Sequence, residues 1–381
     1  MRVLNVLDFS PAVFGGIGKQ LRALEDMLRS EGHVLHVAFP RRRAWLSGFA
    51  ASDRVHVLPS IRKPFRMGFP RHLKRLCMEH DIDLIHLHFS FAMPFTMACS
   101  CCRIGLPLLY HWHNPPKALV RRASDSALQR TTSVGLRVIA RTVAQAGDRI
   151  IARHITVSNE IAQLLVEARW TSMEKTMVLP NGLPACVDQA RQRRYRHGAV
   201  LSVGSVANFR PQKDHGTLLR AIRCCLDRGS NLEVELIGDG ETRAAMEDLC
   251  TSLRLERAVR FLGSVPHDMI PYGRFDAVVL STHYEGQGLV LLEAMSRGIP
   301  VIATDTPGVR EVVGGGVSGI LVEPGSPESL AEALVVLAAD PNLRRRLGLA
   351  GKRIATEKFS IDDWARRQLD AYLAVACADS S

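Results

Sequence analysis

The chain has no apolar run approaching the roughly 20 residues that a membrane-spanning helix needs. Its start, Met1-Arg-Val-Leu-Asn-Val-Leu-Asp8, is too short and too soon charged to read as a secretory signal peptide. Cysteine occurs nine times, an odd number, and without the spacing of a disulfide framework. These absences favour a cytoplasmic chain with free thiols over an exported or membrane-embedded one. Cys99-Ser-Cys101-Cys102 contains a CxxC, but its apolar surroundings argue against a redox or metal role. No short repeat, low-complexity tract, nucleic-acid-binding motif or interleaving of basic and aromatic residues occurs. A dinucleotide fingerprint is missing too. The turn Gly15-Gly16-Ile-Gly18 has Leu21 where a third glycine would stand.

What is present is core material and an uneven charge. At 381 residues, 46% hydrophobic and 23% charged, the chain is long enough for two domains. The net charge is +11, and all of it falls in the first half. Residues 1–190 hold 25 Lys+Arg against 14 Asp+Glu, whereas 191–381 hold 24 against 24. The excess sits at 41–43, 62–75 and 117–153, which points that half toward an anionic partner. An anionic membrane surface, or a phosphate-linked acceptor lying on it, fits better than nucleic acid. A merely soluble basic face is the plain alternative.

Apolar strands alternate with helical stretches along the whole chain. Strands are expected at 3–7, 34–39, 83–89, 106–111 and 153–157, with the first helix at 17–29. The polar segment 186–198 reads as a linker. A second series of strands follows at 200–204, 233–237, 259–262, 277–280, 301–303 and 319–322. Helices are expected at 217–226, 241–253, 289–297 and 327–337, and the chain closes on one at 362–376. Buried strands alternating with helices predict parallel sheets covered on both faces. The expected architecture is α/β, with two doubly wound domains facing across a cleft where their strand ends meet. Their bounds are 1–185, with the closing helix 362–381, and 199–361.

The richest stretch is Ser281-Thr-His-Tyr-Glu285-Gly286-Gln-Gly288-Leu289-Val-Leu-Leu-Glu293, which runs on to Gly298-Ile-Pro300. A strand, a glycine loop and a helix beginning at Leu289 leave backbone N–H groups facing an anion. Glu285 and Glu293 supply carboxylates for sugar hydroxyls, so phosphate and polyol together suggest a nucleotide sugar. Arg210 and Lys213, in Asn208-Phe-Arg210-Pro-Gln-Lys213-Asp214, stand at another helix entrance and suit a pyrophosphate. Gly16 and Gly238 mark two further turns where a ligand can approach the backbone. Four histidines, His86, His88, His111 and His113, lie at period two on two strands. They could be imagined as a zinc site, but no cysteine pair supports one, and His86 and His111 read better as core. His113 is placed to donate to a sugar hydroxyl or phosphate.

In these motifs the chain resembles a retaining glycosyltransferase of family 4, with the GT-B fold. The resemblance runs through Gly15-Gly16, Glu31-Gly-His33, His113, Ser158-Asn-Glu160, Pro180-Asn-Gly182, Lys213, Gly238-Asp-Gly240, Glu285 and Glu293. Pro327-Glu328 and Phe359-Ser360 also match. It implies that Glu293 holds the donor ribose, Glu285 the transferred hexose, and Arg210 and Lys213 the diphosphate, with His113 beside the sugar. It implies no divalent metal or other cofactor, retention at the anomeric carbon, and a closing helix that crosses back to the N-terminal domain. Asn208 stands where the family has an arginine, and Arg210 could reach the same phosphate. The expected acceptor is a polysaccharide precursor or a lipid-linked glycan. Alternatives are a synthase acting on a free sugar and an inactive GT-B partner subunit.

Overall fold

The computed structural model describes residues 1–7, 16–41, 52–58, 69–88, 104–116, 141–142, 144–184 and 200–378. The CxxC, the linker and most of the basic clusters lie outside them. The chain divides into two units, Met1–Gly182 with Ile361–Ser381, and Leu183–Ser360. Leu183 goes with the second because its N–H donates to the Phe359 carbonyl at 2.7 Å.

In the first unit β1 (Arg2–Leu7), β2 (Val34–Phe39), β3 (Val55–Val57), β4 (Leu84–His88), β5 (Leu108–Trp112), β6 (Ile151–Thr156) and β7 (Thr176–Val178) form one sheet. Its order is β3-β2-β1-β4-β5-β6-β7, and every pairing is parallel. The strands are buried on both faces, which is why β1 and β4 read as nearly unbroken apolar runs. One face carries α1 (Gly16–Ser30), through Leu21, Leu24 and Leu28; the other carries α2 (Phe69–Glu79) and α3 (Asn159–Glu167). Each buried leucine contributes about 1.5–3 kcal/mol. β3 and β7, at three residues each, are too short to show a period in sequence.

In the second unit β8 (Leu201–Val206), β9 (Leu232–Ile237), β10 (Val259–Gly263), β11 (Ala277–Leu280), β12 (Val301–Thr304) and β13 (Gly319–Val322) form the other sheet. Its order is β10-β9-β8-β11-β12-β13, again all parallel. The helices are α4 (His215–Asp227), α5 (Arg243–Ser252), α6 (Leu289–Ser296), α7 (Val309–Val312), α8 (Pro327–Ala339) and α9 (Pro341–Lys358). α4 and α8 pack on one face of the sheet, and α6 and α9 on the other. The sequence reading did not single out α9, although Asp340 caps it by accepting from the Asn342 and Leu343 N–H groups ahead of Pro341.

In both sheets the strand order reverses beside the first strand, between β1 and β4 and between β8 and β11. Ligands of open α/β sheets bind outside the carboxyl ends of the strands at such a reversal. The closing helix α10 (Ile361–Ala378) belongs to the first unit, packing against α1 through Trp364, Leu369 and Tyr372. No helix among the described residues is long and apolar enough to cross a membrane.

Candidate active site

Two loops leave the carboxyl ends of β8 and β11, side by side at the reversal of the second sheet. Backbone and hydroxyl bonds stitch them together. Thr282 Oγ1 donates to the carbonyls of Gln212 and Tyr284, at 3.1 and 2.9 Å. The His283 N–H donates to the Gln212 carbonyl, and Gln212 Nε2 returns a bond to the Tyr284 carbonyl at 2.7 Å. Ser281 Oγ lies against the Lys213 and Asp214 carbonyls. This register brings the Lys213 ammonium onto Glu285 Oε2 as an ion pair, its two side chains 19% and 13% exposed. Both charges are thus largely withdrawn from water yet still reachable, and an arriving anion would compete with Glu285 for the ammonium.

Asp214, with φ +43°, turns the chain into α4 and caps it by accepting from the Thr217 N–H. Arg210 lies just before this turn with its side chain exposed, as Asn208 does. Glu285 is followed by Gly286, Gln287 and Gly288, and Gly288 enters α6 at φ +74° with no side-chain cap. Gly286 is packed tightly: a Cβ on Gly308 would stand 1.9 Å from the Gly286 carbonyl oxygen. Gly238 is explained by packing as well. A Cβ there would lie 2.0 Å from the Ala207 carbonyl oxygen, so it keeps the β9 turn against the β8 loop.

Glu293, 6% exposed, sits one turn inside α6 in a cluster of its own. Tyr272 donates its hydroxyl to Oε2 at 2.6 Å, and His267 Nε2 meets Oε1. Arg297 Nη1 bonds the Glu293 carbonyl, and its guanidinium lies over the Tyr272 ring, 4.6 Å from the centroid. Burial first, and then the charge of Glu293, hold the Tyr272 hydroxyl well above the usual tyrosine range, so it stays a donor. Sequence reasoning missed His267, Tyr272 and Arg297. The first two lie in short 3₁₀ turns that carry no period. The two glutamates therefore have separate partners: Glu285 meets a lysine, and Glu293 is held by a phenol and an imidazole.

In the first unit, Gly16 opens α1, the helix next after β1 among the described residues, and Gly15 lies outside them. His113 follows β5, half-buried, with Nε2 3.0 Å from His88 Nδ1. His88 Nε2 reaches Asn5 Oδ1 at 2.6 Å, so that nitrogen carries the proton and Nδ1 is left to accept from His113. His86 Nδ1 meets the Tyr372 hydroxyl of the closing helix at 2.7 Å. Burial pushes His88 down to about 3, and burial with the neighbouring imidazoles pushes His86, His111 and His113 well below the usual histidine range. His86, His88 and His111 bring ligand atoms within 4.8 Å of one another. Yet both His88 nitrogens are engaged, and all three residues are buried where a dication's charge would go uncompensated. Within it His88 bonds Asn5 and His113 and His86 bonds Tyr372, while His86 Nε2 and both nitrogens of His111 are buried without a hydrogen-bond partner among the described residues.

Comparison with known proteins agrees with this architecture. The model described as Glycosyltransferase Family 4 matches residues 14–185, and that described as Glycosyl transferases group 1 matches residues 194–354. A D-inositol 3-phosphate glycosyltransferase of Corynebacterium jeikeium is 34% identical over 88% of this chain and 86% of its own length. Among solved structures, the sucrose-phosphate synthase of Thermosynechococcus elongatus superposes with a TM-score of 0.78 at 21% identity, over 99% of this chain and 100% of its own. Anabaena HepE, in complex with UDP and glucose, superposes with a TM-score of 0.75 at 20% identity, over 98% and 100%. The chain belongs to glycosyltransferase family 4 and has the GT-B fold.

Proposed function

We propose that the protein is a retaining hexosyltransferase that moves a sugar from a nucleotide-sugar donor to a polysaccharide precursor or a lipid-linked acceptor. The observation that carries this reading is the Lys213–Glu285 pair at the reversal of the second sheet. A cation for the departing diphosphate and a carboxylate for the sugar stand in direct contact, as donor phosphate and hexose must. The UDP and glucose bound to HepE support a nucleotide-sugar donor.

In the proposed reaction the acceptor hydroxyl attacks the anomeric carbon on the face from which the diphosphate leaves. The bond from carbon to phosphate oxygen breaks, and the hydroxyl proton passes to that oxygen. Lys213 and Arg210 offset the charge that builds on it, together with the N–H groups at the start of α6 around Gly286, Gly288 and Leu289. With these cations and dipoles at the phosphates, the reaction needs no divalent metal or cofactor. Glu285 orients the hexose, and Glu293, its carboxylate fixed by Tyr272 and His267, takes the ribose hydroxyls. Gly238 and Gly16 let the backbone come close to ligand, and His113, whose Nε2–H is given to His88, offers Nδ1 as an acceptor for a sugar hydroxyl.

The test is binding and turnover together. Lys213→Ala should weaken nucleoside diphosphate affinity by about 10–100-fold, as expected for a lost charge-assisted contact of roughly 1.5–3 kcal/mol. Calorimetric titration with UDP, GDP and ADP reads this directly, and unchanged affinity for whichever binds the wild type removes Lys213 from the site. Wild-type hydrolysis or transfer, screened across nucleotide hexoses, identifies the donor.

The basic first half supports an acceptor on an anionic surface, and with it a cytoplasmic protein peripheral to the inner face of the membrane. It should float with vesicles containing anionic lipid at low salt and stay behind with neutral ones. Failure to float at low salt would remove the membrane from the scheme. An inactive partner subunit is disfavoured by the survival of the Lys213–Glu285 contact.

A further inference from the structure

A second group of imidazoles lies at the opposite end of the first sheet from Gly16 and His113. His36 comes from β2, His56 from the edge strand β3, and His80 from the turn between α2 and β4. Their ligand nitrogens all lie within 4.8 Å of one another, and His36 Nδ1 is 3.0 Å from His56 Nε2. The His36 and His80 centroids are 5.1 Å apart and those of His56 and His80 4.6 Å, with planes at 47° and 51°. His36 and His56 are nearly parallel, at 14° with centroids 5.3 Å apart, and His80 is tilted against both.

We propose that His36, His56 and His80 form a binding site for a borderline divalent transition metal, Zn²⁺ before others. Three imidazole nitrogens with room for a fourth ligand are a familiar donor set for such an ion, and hard cations prefer oxygen. The site takes no part in the transfer reaction and stands or falls independently of it.

Three further observations favour the triad over the buried cluster of His86, His88 and His111. His36 is buried, but His56 and His80 are only partly so, which gives an ion a path and water a coordination position. The surroundings include a carboxylate: Asp53, just before β3, acts on His36 against the cations Arg54 and Arg2. The His80 backbone is also fixed in place. Its N–H bonds the Leu76 carbonyl, and its own carbonyl accepts from Arg2 Nη1, which also pairs with Asp81. Two of the ligands thus sit on firm elements, while the third rides on a strand of three residues that, among the described residues, pairs on one side only. A bound ion would pin that edge strand to β2 and to the end of α2.

The experiment uses the full-length protein without an affinity tag, stripped with a chelator that is then dialysed away. Zn²⁺ is titrated calorimetrically, and Co²⁺ is followed through its visible d–d absorption. The expected result is one tight equivalent per chain, with Co²⁺ bands showing nitrogen ligation in low coordination number. His56→Asn and His80→Asn, both at partly exposed positions, should each weaken Zn²⁺ by more than the ~10–100-fold typical of losing an outer-shell partner. Circular dichroism checks that they fold. Absence of stoichiometric binding by the wild type overturns the proposal, and the Co²⁺ spectrum decides this without any variant. Binding that persists unchanged in both variants overturns it equally, since it would move the ion to the buried cluster.

Discussion

Glu285→Ala should reduce sugar transfer by about 10²–10³-fold, the scale seen when one preorganised electrostatic contact to a reacting centre is removed. The loss should fall on turnover more than on donor affinity, because the nucleotide retains the α6 entrance and the Glu293 cluster. The pair with Lys213 complicates a simple deletion. Removing one partner of a buried ion pair costs about 3–5 kcal/mol when the other charge is stranded. Here Lys213 keeps 19% exposure, so water can reach its ammonium and the stability loss should be smaller. Glu285→Gln separates the two effects. It keeps the volume and a polar oxygen beside Lys213 while removing the charge, so it should melt near the wild type yet transfer as poorly as the alanine variant. Wild-type turnover in either variant would show that the reacting sugar lies elsewhere.

Gly308→Ala should be nearly as damaging, from a position that carries no functional group. The added methyl would stand 1.9 Å from the Gly286 oxygen and 3.1 Å from the Glu285 oxygen, on a backbone with φ +80°. The backbone alone costs about 1–3 kcal/mol for a residue with a side chain. The collision adds to that, and the glycine loop has to give way. Displacing a catalytic group by an ångström costs on the order of 10²-fold in rate. The variant should therefore lose activity and also melt lower, by about 2–4 °C for each kcal/mol in a domain of this size. Gly325→Ala is the control, with φ +75° and nothing within 4 Å of the added methyl. It bears the backbone cost alone and should leave transfer untouched. If Gly308→Ala behaves like Gly325→Ala, the loop does not depend on that packing.

Much of the fold was legible because its strands are buried on both faces, so β1, β4, β8, β11 and β12 stand out as apolar runs. The Lys213–Glu285 contact was half legible. Each residue could be placed at a strand end, but their contact depends on bonds from Thr282, His283 and Gln212 that spacing does not encode. The Glu293 clamp was illegible, since Tyr272 and His267 reach it from irregular turns more than twenty residues away. α9 was hidden for a different reason. Its Arg344-Arg-Arg346 reads as solvated surface, yet Arg344 is buried and donates to the Leu337 and Ala338 carbonyls at the end of α8. The imidazole triad draws on residues twenty and twenty-four apart, with no motif to join them.

The closing helix has a consequence for how the polypeptide is made. Asn5 and His86 stand early in the sequence, and both hydrogen-bond to the hydroxyl of Tyr372 in α10. One apolar face of the first sheet is likewise roofed by Trp364, Leu369 and Tyr372. A ribosome delivers those residues only after the whole of the second unit. The second unit, wholly contained in 183–360, can therefore close while the first, begun earlier, still shows water an unroofed face. The domain started first is completed only after the second, and a nascent chain halted before α10 leaves the tunnel carries the exposed surface that chaperones recognise.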